Sequence, residues 1–274
     1  MSTNYLLSSA GREEAERSRL ELLQQIFDPA SCSRLEFVRP GWRCLDVGAG
    51  RGSIAAWLSQ RVGDAGRIVA TDIDTAGLQH LSACCEVLRH DFLEDPLDAL
   101  QPASFDLVFA RFVLVHLAGK QEVALRRMIE CLRPGGWLVI EDLDMSTFGS
   151  ANPWHPLAAE FDDIVKAMQE GYRTRGMLEQ TCGRMLGASL RRFGLINVNH
   201  EVTAKIHAGA SPVARWHAES MQAITASLIK REIPDRAREA AVASTGTLTK
   251  ALEDPEFFFL DQLYHAARGQ RAPA

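Results

Sequence analysis

Strand-like and helical segments alternate five times between residues 43 and 142, and this alternation constrains the fold more than any other feature of the sequence. The apolar or β-branched runs that predict strands are 43–47, 67–74, 86–91, 105–110 and 137–142. The segments that predict helices between them are 53–62, a stretch near 75–84, and 120–132, which an RPGG turn follows. Such an alternation is typical of a parallel sheet with helices on both faces.

The remaining segments have looser patterns and carry no motif of their own. Residues 12–27 are rich in helix formers, and Pro29 predicts the end of that helix. Helical periodicity covers most of 157–193, 212–232 and 235–252, and strand character is found at 195–206 and 256–269. We therefore expect the second half of the chain to complete the sheet and to add helices that cap a site.

The chain has the composition of an ordinary globular protein. Its 274 residues are 46% hydrophobic and 24% charged. We expect neither a membrane span nor a signal peptide, because apolar stretches stay well short of roughly 18 residues and the N-terminal segment has no apolar region. The net charge of −5 argues against broad binding to nucleic acid or anionic lipid. The six cysteines form no CxxC pair, so we expect a reduced, cytoplasmic protein without a zinc site.

Residues 44–57, CLDVGAGRGSIAAW, place three glycines in five positions between a strand and a helix. Gly48, Gly50 and Gly52 allow a tight turn in which backbone N–H groups approach a ligand. A dinucleotide fingerprint needs GxGxxG, but the third glycine comes one place early, and the GK[ST] of a phosphate-binding loop is absent. Asp46 would repel a pyrophosphate, whereas it would favour a ligand that carries an ammonium and a sulfonium.

Acidic and apolar residues follow the next two strands at the same edge of the predicted sheet. Asp72, 20 residues past Gly52, can accept hydrogen bonds from both hydroxyls of a ribose, and Ile73 offers an apolar face to a purine. Asp91 can accept a hydrogen bond from an exocyclic amine, and Phe92 adds a ring contact. Together these residues describe an adenosine attached to a cationic amino acid. A helix N-cap at Asp72 and a solvated loop acid at Asp91 are the alternatives.

Five motifs in order resemble those of class I S-adenosylmethionine-dependent methyltransferases: LDVGAGRGSIAAWL, ATDID, RHDF, FDLVFARFVLVHL and LRPGGWLVIED. They span roughly residues 40–142, about two fifths of the chain. The chain most resembles the methyltransferase-domain branch that includes quinone-biosynthesis enzymes and many bacterial natural-product enzymes. The segment YLLSSAGREEAERSRL also resembles the lid helix of that branch.

The resemblance implies an α/β fold with a Rossmann-like, seven-stranded, mostly parallel sheet, an antiparallel last strand and helices on both faces. Residues 195–206 and 256–269 would be its sixth and seventh strands. We therefore predict a single methyltransferase domain over residues 1–274. Its parts are an N-terminal lid helix (1–40), a cofactor-binding core (41–145), a completion of the core with inserted cap helices (146–255), and a last strand with a tail (256–274).

The resemblance also implies S-adenosylmethionine as the cofactor and S-adenosylhomocysteine as its product. It assigns the methionine end to Asp46, Gly48 and Gly50, and a cofactor contact to Ala49 between them. It assigns the ribose to Asp72, the adenine to Ile73, Asp91 and Phe92, the wall near the sulfonium to Ala110 and Arg111, and closure from the lid to Tyr5. For Tyr5 the alternative is a contact that orders the terminus, and for Arg111 it is pairing with an acid.

Methyl transfer from a sulfonium is an in-line displacement that depends mainly on alignment and on exclusion of water. A base is needed only where the acceptor must lose a proton. The side chains considered for this role are His116, Asp142, Asp144, His155, His207 and His217. We select His116, because it follows the fourth strand at the rim of the expected site. Its alternative role is to hold this loop through a backbone carbonyl.

The predicted acceptor is a small organic molecule, namely an aromatic or polyketide-like secondary metabolite. Trp154, His155, Tyr172 and Trp216 are assigned to its pocket, and packing of the cap helices is the alternative role of the apolar ones. The sequence has FARF where adenine and glutamine methyltransferases have [DN]PP[YFW], and this segment offers no acidic metal ligand. We therefore expect a metal-independent transfer.

Two other functions are compatible with the same motifs. One is methylation of a protein or an RNA, and the other is a cofactor-binding protein that steers a non-methylation reaction. The acidic charge balance and the predicted cap argue against the first. We expect no nucleic-acid or membrane partner, and a homodimer is compatible with the lid helix and an exposed cap.

Overall fold

The computed structural model describes residues 13–81, 85–176, 178–229 and 235–273, and the elements named below belong to these residues. The helices are α1 (Glu13–Arg34), α2 (Ser53–Val62), α3 (Gln121–Cys131), α4 (Ala158–Arg175), α5 (Cys182–Arg192), α6 (Pro212–Ile229) and α7 (Asp235–Glu253). The strands are β1 (Arg43–Val47), β2 (Arg67–Asp72), β3 (Glu86–Arg89), β4 (Phe105–Arg111), β5 (Leu132–Asp144), β6 (Gly149–Ser150), β7 (Ile196–Thr203), β8 (Ile206–Ala208), β9 (Phe258–Leu260) and β10 (Leu263–Gln270). Short 3₁₀ helices span Ala76–Leu81, Leu97–Leu100, Leu114–His116 and Met145–Thr147.

The chain divides into two compact units. The first, which we name the sheet unit, comprises Asp28–Asp144, Leu178–Thr203 and Tyr264–Ala274. The second, which we name the helical unit, comprises Met1–Phe27, Met145–Met177 and Ala204–Leu263. The glycine turn and the acids that follow the first strands all lie in the sheet unit.

The sheet unit is built on a seven-stranded sheet with the order β3-β2-β1-β4-β5-β10-β7. β1 pairs parallel with β2 and β4, β4 pairs parallel with β5, and β10 pairs antiparallel with β7. The predicted Rossmann-like, mostly parallel sheet with an antiparallel last strand is therefore confirmed, with β7 and β10 as its sixth and seventh strands. The strand order reverses between β1 and β4, and open α/β sheets bind their ligands beyond the carboxyl ends of the strands at such a point.

The strands of this sheet form because their apolar side chains are buried. All residues from Cys44 to Val47 in β1 and from Leu107 to Ala110 in β4 are buried. Near-continuous apolar runs of this kind belong to parallel strands that helices cover on both faces. α2 buries Ile54, Ala55, Leu58 and Val62, and its bounds agree with the prediction from periodicity.

α1 continues to Arg34, so the prediction that Pro29 ends this helix is wrong. Proline lacks an N–H and therefore removes one helical hydrogen bond. Contacts beyond it hold the last turns in place, because Ser31 Oγ donates to the carboxylate of Glu141 in β5 at 2.5 Å and Leu35 is fully buried. These tertiary contacts outweigh the local helix-breaking signal.

For the segment near 75–84, where a helix is predicted, the structure has a 3₁₀ helix over Ala76–Leu81, and residues 82–84 lie outside the described residues. The Leu78 N–H donates to the Thr75 carbonyl at 3.0 Å, which is the shorter i→i+3 bond. A Cβ at Gly77 would lie 3.2 Å from the carbonyl oxygen of Gly50. The segment is therefore packed closely against the glycine turn, and a glycine in its first turn disfavours a regular α-helix.

β5 begins at Leu132, five residues before the predicted start at Trp137. The RPGG sequence lies inside the strand rather than in a separate turn. The pairing register with β4 shifts between Phe105 and Leu107, and Gly135 has a φ of +78°. RPGG is therefore a bulge-like irregularity at the start of the strand.

The helical unit has its own three-stranded sheet, with the order β6-β9-β8, and its own apolar core. Phe161, Phe257 and Phe259 are fully buried in this core. The predicted strand at 256–269 is divided, because β9 joins the small sheet and β10 joins the large one. Asp261 marks the division, since its N–H donates to the Lys205 carbonyl at 2.9 Å. No helix within the described parts of the chain combines the length and the apolar character that crossing a membrane requires.

Candidate cofactor site

The glycine turn connects the end of β1 to the start of α2 in a left-handed backbone conformation. Gly48, Gly50 and Gly52 have φ values of +68°, +59° and +75°. A Cβ at Gly48 would lie 2.6 Å from Val113 Cγ2, and one at Gly52 would lie 2.2 Å from Leu81 Cδ1. The turn therefore requires glycine at both positions for conformation and for space.

Asp72 ends β2 and is bonded directly to the glycine turn. Its Oδ2 accepts the Gly50 N–H at 2.9 Å, and its Oδ1 accepts the Asp74 N–H at 3.1 Å. Burial raises the pKa of this carboxyl, and the same backbone N–H bonds lower it. The N–H of Ala76, where the following 3₁₀ helix starts, is bonded by Asp74 rather than by Asp72. The N–H of Ile73 bonds the carboxylate as well, and a carboxylate has about four acceptor positions, so Asp72 can accept a further hydrogen bond from a ligand.

Asp46 lies inside β1 and is 2% exposed. Burial raises the pKa of its carboxyl to about 7, the Arg111 guanidinium lowers this pKa, and Asp72 raises it. The N–H of Ala55 in α2 also bonds the carboxylate and lowers its pKa. Because burial penalises the ionised form, a cationic group that binds beside Asp46 would favour loss of its proton.

Ile73, Asp91 and Phe92 follow β2 and β3, which are neighbours in the sheet. Asp91 Oδ1 accepts the Leu93 N–H at 3.0 Å, which closes a tight turn after β3. Phe92 is 6% exposed, and its ring centroid lies 5.6 Å from that of His90. Most of the Phe92 ring is therefore packed against protein, whereas Ile73 is partly exposed.

The end of β4 brings Ala110 and Arg111 to the same edge of the sheet. Ala110 is fully buried. Arg111 Nη2 donates to Asp28 at 2.8 Å and Nη1 donates to Ser31 Oγ at 2.9 Å, both in α1. The alternative noted from the sequence, pairing of Arg111 with an acid, is present. This pairing holds the guanidinium in a fixed place.

His116 ends a 3₁₀ turn that Asp142 of β5 holds in place. Asp142 is fully buried, and its Oδ2 accepts the N–H groups of Leu114 at 2.8 Å and Val115 at 3.2 Å. Burial raises the pKa of Asp142 to about 7, and these backbone bonds lower it. Asp142 thus fixes the backbone that carries His116, and its own oxygens are already used.

The other base candidates are occupied by protein partners. Asp144 is fully buried and pairs with Arg184 in the sheet unit. In the helical unit, His217 Nε2 lies 2.7 Å from Asp261 Oδ1, and His207 Nε2 lies 3.6 Å from the second oxygen of the same carboxylate. Burial lowers the pKa of His207, and Asp261 raises it.

The residues predicted for the acceptor pocket all lie in the helical unit. The Trp154 side chain is exposed, and His155 Nε2 pairs with Asp254 at 3.2 Å. Tyr172 is buried, and burial raises the pKa of its hydroxyl. Trp216 is buried and packs edge-on against Phe27, with a centroid distance of 5.3 Å. Tyr5 lies outside the described residues. None of the described residues forms a cluster of three or more His, Cys, Asp or Glu side chains that could hold a metal ion.

Sequence reasoning missed a buried polar group at the carboxyl end of β5. Glu141 is fully buried and accepts hydrogen bonds from Ser31 and from the Tyr264 hydroxyl. The available signal was an acid in the apolar run WLVIED, since a buried strand rarely keeps a carboxylate without partners.

Comparison with known proteins identifies relatives that are named methyltransferases. The sequence model of the methyltransferase domain family matches residues 44–136, which covers most of β1, the glycine turn and the start of β5. Methyltransferase str3 of Strobilurus tenacellus is 30% identical over 147 residues, which are 51% of this chain and 52% of that protein. The ubiquinone/menaquinone biosynthesis C-methyltransferase UbiE of Xanthomonas oryzae pv. oryzae is 30% identical over 190 residues, which are 63% of this chain and 74% of that protein.

A solved structure shares the fold over the whole chain. It is Haemonchus contortus phosphoethanolamine N-methyltransferase 2, in complex with phosphomonomethylethanolamine and S-adenosylhomocysteine. The TM-score is 0.57 at 16% identity, and the alignment covers 100% of this chain and 61% of that one. The chain thus spans about half of the Strobilurus protein and three fifths of the Haemonchus protein.

Proposed function

The chain belongs to the class I S-adenosylmethionine-dependent methyltransferases, and on this premise we propose that it transfers a methyl group from S-adenosylmethionine to a small organic acceptor. The UbiE protein of Xanthomonas oryzae pv. oryzae supports this membership, because the two chains are 30% identical over an alignment that covers 74% of the UbiE protein. The observation that carries the proposal is the direct bond between Asp72 and the N–H of Gly50, which joins the acid after β2 to the glycine turn after β1.

The residues of the site fit this cofactor chemically. A Cβ at Gly48 would overlap Val113, whereas a Cβ at Gly50 would have nothing within 4 Å, so the turn borders open space at Gly50. Asp46 offers a carboxylate to an ammonium, and Asp72 offers lone pairs to the two ribose hydroxyls. Ile73 and Asp91 follow the neighbouring strands and are assigned to the adenine. When bound, S-adenosylmethionine supplies a methyl group on a sulfonium, which is already activated for displacement.

We further propose an aromatic or polyketide-like acceptor. The name of the Xanthomonas relative describes a C-methyltransferase of ubiquinone and menaquinone biosynthesis, and such acceptors are aromatic rings. The acidic net charge of −5 disfavours RNA as the substrate. The experiment incubates the protein with S-adenosylmethionine labelled in its methyl group and with hydroquinones or polyhydroxybenzoates. We expect label in the organic extract, and label in protein or RNA alone would contradict the proposal.

His116 is proposed as the base for acceptors that must lose a proton. Asp142 supports this role, because it fixes the turn that carries His116 through two backbone N–H groups. We expect His116→Asn to lower kcat about 100-fold, the lower range of general base catalysis, with little change in the KM for the cofactor. His80→Asn is the matched control, since His80 is exposed in the same unit. Equal turnover of His116→Asn and the wild type across the pH range would remove this role.

A further inference from the structure

Three charged side chains lie on one face of the large sheet, in the adjacent strands β1, β4 and β5. Asp46 pairs in register with Phe109, and Arg111 pairs in register with Glu141. Because Phe109 and Arg111 are two residues apart in β4, their side chains point to the same face. Neighbouring strands lie about 4.8 Å apart. Arg111 is therefore carried by the strand between those of the two acids, near the carboxyl edge of the sheet.

The last turns of α1 hold the Arg111 guanidinium from the same side. Ser31 Oγ accepts from Nη1 at 2.9 Å, and Asp28 accepts from Nη2 at 2.8 Å. Glu141 lies behind this hydroxyl, since it accepts the Ser31 O–H at 2.5 Å. The hydroxyl of Ser31 thus connects the acid to the arginine. A guanidinium has five N–H donors, so these two bonds leave donors for a further acceptor.

The burial of Glu141 is energetically unfavourable, which suggests a structural or functional role for this side chain. Its side chain is fully buried, and its partners are Ser31, the Tyr264 hydroxyl and Arg34, which lies 3.4 Å away. Burial of a carboxylate carries a large desolvation penalty, which apolar packing would avoid. What Glu141 accomplishes in the structure is to fix the hydroxyl that Arg111 donates to.

Asp46 and Arg111 lie on the same face of adjacent strands and carry the charges opposite to those of an α-amino acid. Arg111 is close enough to Asp46 to lower the pKa of that carboxyl. One carbon atom of an amino acid carries both the ammonium and the carboxylate, so a site that binds both groups needs an acidic and a basic side chain next to each other. The proposed function gives the ammonium to Asp46 and leaves the carboxylate of the cofactor without a partner. Arginine is the side chain that binds a carboxylate with two parallel hydrogen bonds.

We propose that Arg111 binds the carboxylate at the amino-acid end of the cofactor, and that Glu141, acting through Ser31, is the positioning residue that holds the guanidinium. This inference rests on the proposed function. From the sequence, Arg111 is assigned only to the wall near the sulfonium, whereas the inference gives it a specific bond to the carboxylate of the cofactor. It also gives a function to the buried acid of β5.

The test compares two ligands by calorimetric titration: S-adenosylhomocysteine, and 5′-methylthioadenosine, which keeps the adenosine and the thioether but lacks the amino-acid end. We expect Arg111→Gln to weaken S-adenosylhomocysteine about 10- to 100-fold, the range for hydrogen bonds between charged groups. The affinity for 5′-methylthioadenosine should change less than about twofold, since it has no carboxylate. Glu141→Gln should act on the same ligand with a smaller loss.

Arg184→Gln is the matched control, because Arg184 also pairs with a fully buried acid of β5 in the same unit. It should weaken neither ligand, and circular dichroism of each variant reports whether the fold is kept. Should Arg111→Gln fail to fold, Arg111→Lys and Tyr264→Phe supply the comparison. Lysine keeps the positive charge but lacks the two parallel N–H donors of a guanidinium, and phenylalanine removes one hydrogen-bond donor to Glu141. Each substitution should therefore lower the affinity for S-adenosylhomocysteine and leave that for 5′-methylthioadenosine unchanged.

Equal losses for the two ligands, or no loss, would overturn the inference and leave the proposed function standing as long as the wild-type protein binds S-adenosylhomocysteine. A wild-type protein that binds neither ligand would overturn both. Selective loss of S-adenosylhomocysteine in the Arg111 and Glu141 variants, with the Arg184 variant unchanged, is the result that the inference requires.

Discussion

Replacing Asp46 by Asn should stabilise the cofactor-free protein at neutral and alkaline pH, although it removes a residue of the site. Burial raises the pKa of this carboxyl from 3.8 to about 7, while Arg111 lowers it and Asp72 and Asp28 raise it. Between about pH 4 and pH 7 the folded protein keeps a proton that the unfolded chain has lost. The contribution of Asp46 to stability therefore falls as the pH rises through this window, and it stays low above pH 7.

The size of this effect follows from the two pKa values. Their difference, from 3.8 to about 7, corresponds to about 4 kcal/mol at roughly 1.36 kcal/mol for each pKa unit. This value is the ceiling, because Asn keeps a polar group in the same buried place and the protein relaxes around it. We expect about half of it, on the order of 2 kcal/mol. For a protein of this size that is a rise of about 4–8 °C in Tm.

The assay is a series of thermal melts of the wild type and Asp46→Asn from pH 5 to pH 8, without ligand. The difference in Tm in favour of Asn should grow as the pH rises and level off above pH 7. Binding of S-adenosylhomocysteine to the wild type should release a proton near pH 6, because its ammonium favours the ionised carboxylate. A Tm difference that is constant with pH, or that favours Asp at pH 8, would refute the reasoning.

Two further substitutions test the turn and its neighbouring acid. Asp72→Asn should lower the affinity for S-adenosylhomocysteine at least about tenfold by calorimetry, because it removes an acceptor for the ribose hydroxyls. The control Asp74→Asn, at an exposed position, should change this affinity less than about threefold. Similar losses for both variants would argue against the ribose assignment. Gly48→Ala should cost about 2–4 kcal/mol of unfolding free energy in urea, because a φ of +68° adds about 1 kcal/mol to an overlap at 2.6 Å. Gly176→Ala, with a φ of +56°, a ψ of +39° and nothing within 4 Å, should cost only about 1 kcal/mol, and equal costs would show that the overlap is relieved.

The fold was predictable where the signal is local and repeated. The bounds of β1 and α2 follow from apolar runs and periodicity on either side of the glycine turn, and the structure reproduces them. The mostly parallel, seven-stranded sheet could be inferred because alternating strands and helices allow few arrangements, and five motifs in order resemble one family. The sequence also indicated that Asp72 lies beside the glycine turn, and the structure bonds it to the N–H of Gly50. The roles of Asp46 and Asp72 toward a ligand stay predictions.

The features that sequence reasoning missed depend on contacts between residues far apart in the chain. Pro29 is a helix breaker by itself, and α1 continues because of contacts such as the bond of Ser31 to Glu141, 110 residues away. In the same way, the division of 256–269 into two strands depends on Asp261, whose backbone and side-chain partners come from other segments. A pattern that is read along one segment does not contain these partners.

The most direct test of the central claim is a calorimetric titration of the wild-type protein with S-adenosylmethionine and S-adenosylhomocysteine, with NADH as the control. The structure has a glycine turn without the dinucleotide spacing, a buried Asp46 in the strand before it, and Asp72 bonded to the turn. We predict micromolar binding of both sulfur compounds and no heat from NADH. Binding of NADH alone would contradict the assignment of S-adenosylmethionine as the cofactor and every residue role that depends on it.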